Sequence, residues 1–134
     1  MRIKGILLKR KYDDSNRQYN LDKIIIDIQR RLCNDKQIFV QMGGSEQEYN
    51  PNPAFICGII KTAYIKGDEI ITEFETIDTP SGKLLESLMI QNIPLSLSAT
   101  GYGDVNVNGI VDNYNFIMCK LFAFYTNLVE EIDD

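Results

Sequence analysis

The spacing of apolar residues predicts two helices and six strands along this chain. Apolar side chains repeat every three or four positions over about 21–32 and again within 78–92, which is the period of an amphipathic helix. Asn20 and Thr79 stand directly before the two helical patterns and fit as N-caps, and Pro80 then takes the first helical position, where its missing N–H costs nothing. Six other segments are strand-like, because their apolar and polar residues alternate or their composition is β-prone. They are 2–9, 37–42, 54–67, 68–78, 93–101 and 113–126.

These elements predict an α+β fold with a mostly antiparallel sheet and two flanking helices. The sheet is expected to be strongly curled or closed into a small barrel. Segments 54–67 and 68–78 form a hairpin that turns at 66–68, and segment 113–126 should lie centrally because both of its faces are largely apolar. A chain of 134 residues has the length of one domain, so we expect 1–134 to fold as a single unit.

Four polar stretches separate or follow these elements. Residues 10–20 read as a polar loop, and segments 43–53 and 102–112 are dense in turn-forming residues. The acidic stretch 130–134 reads as a frayed tail.

The composition narrows the class of protein. Hydrophobic residues make up 44% and charged residues 25%, which is ordinary for a folded globular protein. No apolar run approaches the roughly 20 residues that cross a bilayer, and the N-terminal apolar stretch is too short for a signal peptide. We therefore expect a cytoplasmic protein that does not contact a membrane.

Charge is unevenly distributed along the chain. Residues 1–36 carry ten Lys and Arg against five acids, a net +5, whereas the other 98 residues carry four bases against fourteen acids, a net −10. This asymmetry has two interpretations. It is either a property of the solvated surface without functional meaning, or it lets the chain bind other copies of itself, or an acidic neighbour, by charge attraction. Specific nucleic-acid binding is disfavoured because the net charge is negative and the bases are not interleaved with stacking aromatics. The residues predicted for an interaction surface are Lys9, Arg10, Lys11, Arg30, Arg31, Glu73 and Glu75.

The absence of histidine limits the possible chemistry. Catalysis by a histidine dyad or triad is excluded, and the commonest nitrogen ligand for zinc or copper is missing. Cys33, Cys57 and Cys119 are widely spaced without a CxxC pair, which favours buried free thiols over a reactive site. We expect no metal and no cofactor.

One serine has the setting of a nucleophile. In "PLSLSATGYGDV" (94–105), Ser98 follows a strand-like alternation and precedes glycines whose N–H groups could face an anion. A serine nucleophile also requires a base within hydrogen-bond reach, and a lysine serves in some hydrolases. Ser98 is therefore a nucleophile, the remnant of one, or an ordinary turn serine. The candidate bases are Lys61, Lys83 and Lys120, and the spacing does not select one of them.

Three segments together resemble the prohead (capsid maturation) proteases of tailed phages, whose fold is similar to that of herpesvirus assemblin. The family's opening strand and following motif match 5–28, where Gly5, Leu7, Leu8, Asn16, Arg17 and Tyr19 are kept. Its D-T-P-x-G-K block matches "IDTPSGKLLESL" (77–88), and its serine turn matches "NIPLSLSATGYGDV" (92–105). The resemblance spans nearly the whole chain in the right order, and it implies an assemblin-like fold.

The departures from the family pattern occur at the residues that carry out its catalysis. The block that carries the family's catalytic histidine corresponds to 40–46, which places Gly44 or Ser45 where the histidine belongs. The family's S-S-R-G becomes Ser98-Ala99-Thr100-Gly101, so that one serine and one arginine are missing. Each loss should lower the rate by orders of magnitude, because nucleophile and base act as a unit. The resemblance thus implies a catalytically degenerate member in which Ser98 and Gly44 are vestigial.

The resemblance implies a non-catalytic structural protein of the virion, not an enzyme. It would be an auxiliary or decoration subunit of the capsid, or a component of the assembly core, present in many copies and bound to the major capsid protein or other virion proteins. Assembly would take place in the host cytoplasm. One alternative is an active maturation protease that uses Ser98, Cys57 or Cys119 with a lysine base. Another is a small phage protein that inhibits a host factor through its acidic face.

Overall fold

A computed structural model describes residues 1–11, 17–45 and 48–132. The predicted α+β class is confirmed: within these ranges, two α-helices accompany one sheet of eight mostly antiparallel strands. The helices are α1 (Leu21–Cys33) and α2 (Pro80–Ile90), and a short 3-10 turn covers Pro53–Phe55. The strands are β1 (Arg2–Lys9), β2 (Gln18–Tyr19), β3 (Phe39–Met42), β4 (Ile56–Lys66), β5 (Glu69–Thr76), β6 (Ser96–Val105), β7 (Ile110–Phe122) and β8 (Glu130–Glu131).

Local chemistry sets the start of both helices, as predicted. The Asn20 side chain accepts a hydrogen bond from the Lys23 N–H at 3.3 Å, and Thr79 Oγ1 accepts one from the Gly82 N–H at 3.0 Å. Gly82 is required in the first turn of α2, because a Cβ there would overlap the Ile77 carbonyl oxygen. The glycine of the D-T-P-x-G-K block therefore has a packing role. The buried side of α1 consists of Leu21, Ile24, Ile25 and Ile28.

The strands are hydrogen-bonded in the order β2-β7-β3-β4-β5-β1-β8, and β6 pairs with β7. The β2–β7 and β3–β7 pairs are parallel, and the other pairs are antiparallel. β7 is central, as its two apolar faces predicted. The β4–β5 hairpin turns at Gly67, whose φ of 62° suits the predicted turn. The sheet is open, so the small-barrel alternative is not supported.

Two predicted boundaries around the serine segment were wrong. β6 continues through Val105 and β7 begins at Ile110, so that most of the predicted loop 102–112 is strand. Gly101 accounts for part of this error: a Cβ there would overlap the Asn115 carbonyl oxygen and lie 2.7 Å from the Tyr114 ring. This glycine permits close approach of β6 and β7 rather than a turn, and the register shifts on either side of it. β7 also ends at Phe122, four residues earlier than predicted.

The acidic tail is partly ordered. Glu130 and Glu131 form β8 against β1, although 130–134 was predicted to fray; Asp133 and Asp134 lie outside the described residues. Val129 just before β8 is buried in the hydrophobic core, together with side chains from both helices and from β1, β4, β5, β6 and β7. Neither described helix is long and apolar enough to cross a membrane.

Candidate functional site

The structure selects one of the three candidate lysines as the neighbour of Ser98. Ser98 on β6 lies directly opposite Lys120 on β7 in the antiparallel ladder, so both side chains project from the same face of the sheet. Ser98 is exposed, whereas Lys120 is only 1% exposed. Lys61 instead forms an ion pair with Glu75 at 3.9 Å, and Lys83 forms one with Asp78 at 3.4 Å.

Lys120 is bound to the loop that follows β3. We define the β3 loop as residues 43–45 and 48–52; residues 46 and 47 lie outside the described ranges. The Lys120 ammonium donates hydrogen bonds to the backbone carbonyls of Ser45 and Glu48, the second at 2.7 Å. Lys120 thereby ties the β3 loop to the face of the sheet that carries Ser98.

Gln41 holds the same loop from the neighbouring strand. It pairs with Lys120 in the parallel β3–β7 ladder and is completely buried. Its side-chain amide donates to the Gly43 carbonyl at 3.0 Å and accepts from the Asn52 N–H at 2.8 Å, near the two ends of the loop. Leaving such buried groups without partners would cost about 1–3 kcal/mol each, so Gln41 and Lys120 together fix the position of the loop.

Lys120 connects the segments that carry the two positions predicted to be vestigial. Gly44 and Ser45 lie in the β3 loop, and Ser98 lies across the ladder from the lysine that binds that loop. Gly44 has a φ of +108°, and a Cβ there would lie 2.7 Å from Nε2 of Gln41. A histidine side chain at residue 44 would therefore require the backbone or Gln41 to move.

A cleft of about 420 Å³ runs along β6 past Ser98 and Lys120. Tyr49, from the β3 loop, packs edge-on against Tyr102 of β6 with ring centroids 5.7 Å apart. Tyr19 packs in the same manner against Tyr114, at 5.3 Å. Sequence analysis matched Tyr19 to the family motif without placing it at the site, and it missed the site role of the other three tyrosines, because they are far apart in the chain. The cleft thus combines polar groups with aromatic walls.

Neither buried cysteine is poised as a nucleophile. Burial raises the pKa of the Cys57 thiol to about 12, and the Cys57 Sγ–H donates to the Val40 carbonyl at 3.3 Å. Burial, followed by the nearby Cys57 charge, also raises the pKa of Cys119. Both thiols are therefore protonated at neutral pH, and the thiolate is the reactive form. Cys33 is exposed, so the prediction of a buried thiol was wrong there.

Glu73 and Glu75 face cations rather than forming an acidic surface. β1 pairs with β5, which places Arg2 opposite Glu75 and Lys4 opposite Glu73. Arg2 also forms an ion pair with Glu73 at 3.2 Å, and Lys61 forms one with Glu75 at 3.9 Å. The basic first strand thus lies beside the acidic strand, so charges that are separate in the sequence are interleaved in space.

The predicted basic residues have different environments. Arg31 donates to the carbonyls of Phe116 and Ile117, at 2.6 and 3.3 Å, and lies over the Phe116 ring, which ties α1 to β7. Arg10 forms an ion pair with Asp68 at 3.2 Å. Lys9 lies opposite Glu69 in the β1–β5 ladder and also interacts within the chain. Lys11 and Arg30 are exposed and are not among the residues that line the cleft.

Within the described ranges, no group of three or more cysteine, aspartate or glutamate side chains is arranged to hold a metal ion.

Comparison with known proteins identifies the fold. No protein-family model matches the sequence, and no curated protein matches it. Among solved structures, the capsid assembly protease gp21 of bacteriophage T4 superimposes with a TM-score of 0.73 at 21% sequence identity, covering 90% of this chain and 79% of that chain. The predicted resemblance is thereby confirmed at the level of structure. The chain has a prohead-protease-like fold.

Proposed function

We propose that this protein is a non-catalytic structural component of a tailed-phage capsid, built on the fold of a capsid assembly protease. The observation that carries the proposal is the β3 loop: the chain has no histidine, and Gly44 is packed against Gln41 where the family pattern places one. A fold that has lost its catalytic groups still has surfaces that can bind other proteins. Function depends on such sites and not on the fold itself.

The bonds of Lys120 support a structural role for this lysine. Its ammonium donates to two backbone carbonyls, so that removal of the side-chain donor would disturb the β3 loop. The Ser98 hydroxyl forms no hydrogen bond among the described residues. A serine nucleophile is activated by a base bonded to its hydroxyl, and that base is in turn oriented by a third group. In this site the lysine is bonded to the loop instead.

The second candidate is an active maturation protease with a serine–lysine mechanism. One observation favours it: Ser98 and Lys120 lie directly opposite each other in a cleft. In this mechanism Lys120 would accept the proton of the Ser98 hydroxyl while the oxygen attacks a peptide carbonyl, and would return the proton to the leaving amine.

Labelling with a fluorophosphonate separates the two candidates. The purified protein and its Ser98→Ala and Lys120→Met variants are treated with the probe, and each is incubated with capsid precursors of its own phage. We expect no labelling above the Ser98→Ala background and no precursor cleavage. Labelling and cleavage by the unmodified chain, both lost in Ser98→Ala, would overturn the non-catalytic proposal.

We further propose that the partner is the major capsid protein or another virion protein, bound by many copies of this chain in the virion. Glu73, Glu75, Arg10 and Arg31 are engaged within the chain. Of the cations predicted for an interaction surface, Lys11 and Arg30 are exposed and form no ion pair among the described residues. Mass spectrometry of intact virions should find the chain in stoichiometric copy number. Its absence from particles at every stage of assembly would contradict this assignment.

A further inference from the structure

A segment near the end of the described chain fills a gap between β1 and β6. We call residues 127–132 the bridging segment. On one side, Val129 N–H donates to the Leu95 carbonyl at 2.9 Å, and Leu97 N–H donates to the Asn127 carbonyl at 3.2 Å. On the other side, Glu130 and Glu131 pair with β1, and Ile132 N–H donates to the Arg2 carbonyl at 2.9 Å. Residues 127–129 thus bond to the β6 side and residues 130–132 to β1, so the bridging segment connects the two strands.

One buried side chain anchors the bridging segment. Val129 is 9% exposed, whereas Leu128, Glu130 and Glu131 are exposed. Val129 fits against Gly5 of β1, where an added Cβ would lie 2.9 Å from Val129 Cγ1. Glu130 adds an ion pair with Lys4 at 3.3 Å on the surface. The segment is thus held mainly by backbone hydrogen bonds and one valine.

The connection from β7 to the bridging segment is exposed throughout. We call residues 123–126 the hinge. All four hinge residues are exposed, and they form no backbone–backbone hydrogen bond among the described residues. Two of them are large aromatics, Phe124 at 60% and Tyr125 at 82% exposure. A hinge that is not fixed by hydrogen bonds can change direction without breaking any bond of its own.

We propose that the bridging segment exchanges between two copies of this chain, so that each copy's segment fills the gap between β1 and β6 of the other. Every hydrogen bond of the closed monomer is formed again in such a dimer, because the inserted segment is identical. Neither gap is left empty, so the strand groups that the segment bonds in the monomer keep their partners. The two hinges then lie side by side, and their aromatic side chains leave water, an interaction that the closed monomer lacks.

The occupant of the gap is a second copy because the fit is specific to this segment. A valine is placed where Gly5 leaves room, and a glutamate is placed opposite Lys4. The inference goes beyond the proposed function and uses no residue of the Ser98 cleft. If segment exchange is disproved, the proposed function is not affected, and the reverse also holds.

A disulfide across the β1–β8 pair reports which chain supplies the segment. Lys4 and Glu130 are directly opposite each other, at a Cα separation typical of paired strands and compatible with a disulfide. The Lys4→Cys/Glu130→Cys variant is prepared with Cys33→Ser to remove the exposed native thiol. It is refolded at a series of protein concentrations, oxidised and separated on a non-reducing gel. We expect a band at twice the monomer mass whose share rises with concentration. A band at the monomer mass alone at every concentration would overturn the proposal.

Two controls exclude trivial cross-linking. The Lys4→Cys and Glu130→Cys single variants, in the same Cys33→Ser background, should give little covalent dimer; equal dimer in the single variants would overturn the proposal. Adding Phe124→Ser and Tyr125→Ser to the double-cysteine variant should lower the dimer share while the intrachain disulfide still forms at low concentration. An unchanged dimer share would contradict the contribution of the hinge.

Discussion

The β3 loop and the bridging segment both lie against the rest of the sheet around β6, but different interactions hold them. Two buried polar side chains, Gln41 and Lys120, bind the carbonyl and amide groups of the β3 loop. The bridging segment has one buried valine and a set of backbone bonds. Two buried side chains fix the β3 loop within its own chain, whereas the backbone bonds and the single valine of the bridging segment can be formed again by the identical segment of a second copy. The comparison explains why the first segment is held in place and the second is suited to exchange.

The largest effect should come from Lys120→Met. The variant keeps the length of the side chain but leaves the Ser45 and Glu48 carbonyls without their donor. Urea unfolding should show a loss of about 3 kcal/mol, since a buried charged hydrogen-bond donor is removed. Lys83→Met is the matched control, because the Lys83 side chain is 74% exposed and its ion pair is on the surface. Equal losses in the two variants would show that Lys120 does not anchor the loop.

A smaller effect is expected from Gly44→Ala, at about 2 kcal/mol, because a Cβ at a φ of +108° is strained and meets Gln41. Gly43→Ala is the matched control: Gly43 also has a positive φ, of 62°, but no atom lies within 4 Å of an added Cβ. The difference between the two variants reports the contact with Gln41 together with the greater backbone strain of a φ of +108°. By the same reasoning, Gly44→His should not restore a protease. Fluorophosphonate labelling that appears in Gly44→His would contradict the assigned geometry.

Val129→Ala should lower the free energy of unfolding by about 1–2 kcal/mol, since two methyl groups leave a site that cannot fully collapse. In this variant, amide hydrogen exchange should accelerate more at residues 129 and 132 than at Asn52, whose N–H is bonded to Gln41. Exchange that accelerates equally at all three amides would show that the bridging segment opens only with the whole fold.

The smallest effect concerns the Lys4–Glu130 ion pair, whose side chains are 43% and 66% exposed. A double-mutant cycle with Lys4→Ala and Glu130→Ala should give a coupling of about 0.5 kcal/mol or less, decreasing with added salt. A salt-independent coupling above about 2 kcal/mol would mean that the bridging segment is held as firmly as the β3 loop.

Much of the fold could be predicted from local patterns. The N-caps at Asn20 and Thr79, the hairpin turn at Gly67 and the central position of β7 each depend on residues close together in the sequence. Gly101 shows where this reasoning fails. Glycine serves both turns and close strand contacts, and only the partner strand, with Tyr114 and Asn115 beside it, distinguishes the two.

For the site, the sequence by itself established that no histidine is present and that Ser98 follows a strand-like segment with glycines beyond it. Only the tertiary structure decided that Lys120, rather than Lys61 or Lys83, lies opposite that serine and is bound to the β3 loop. It also decided that the basic β1 and the acidic β5 are neighbours, which removes the charge separation seen along the chain. The physical reason is common to these cases. Strand register and pairing bring together residues tens of positions apart, and no local propensity or spacing encodes which partner is chosen.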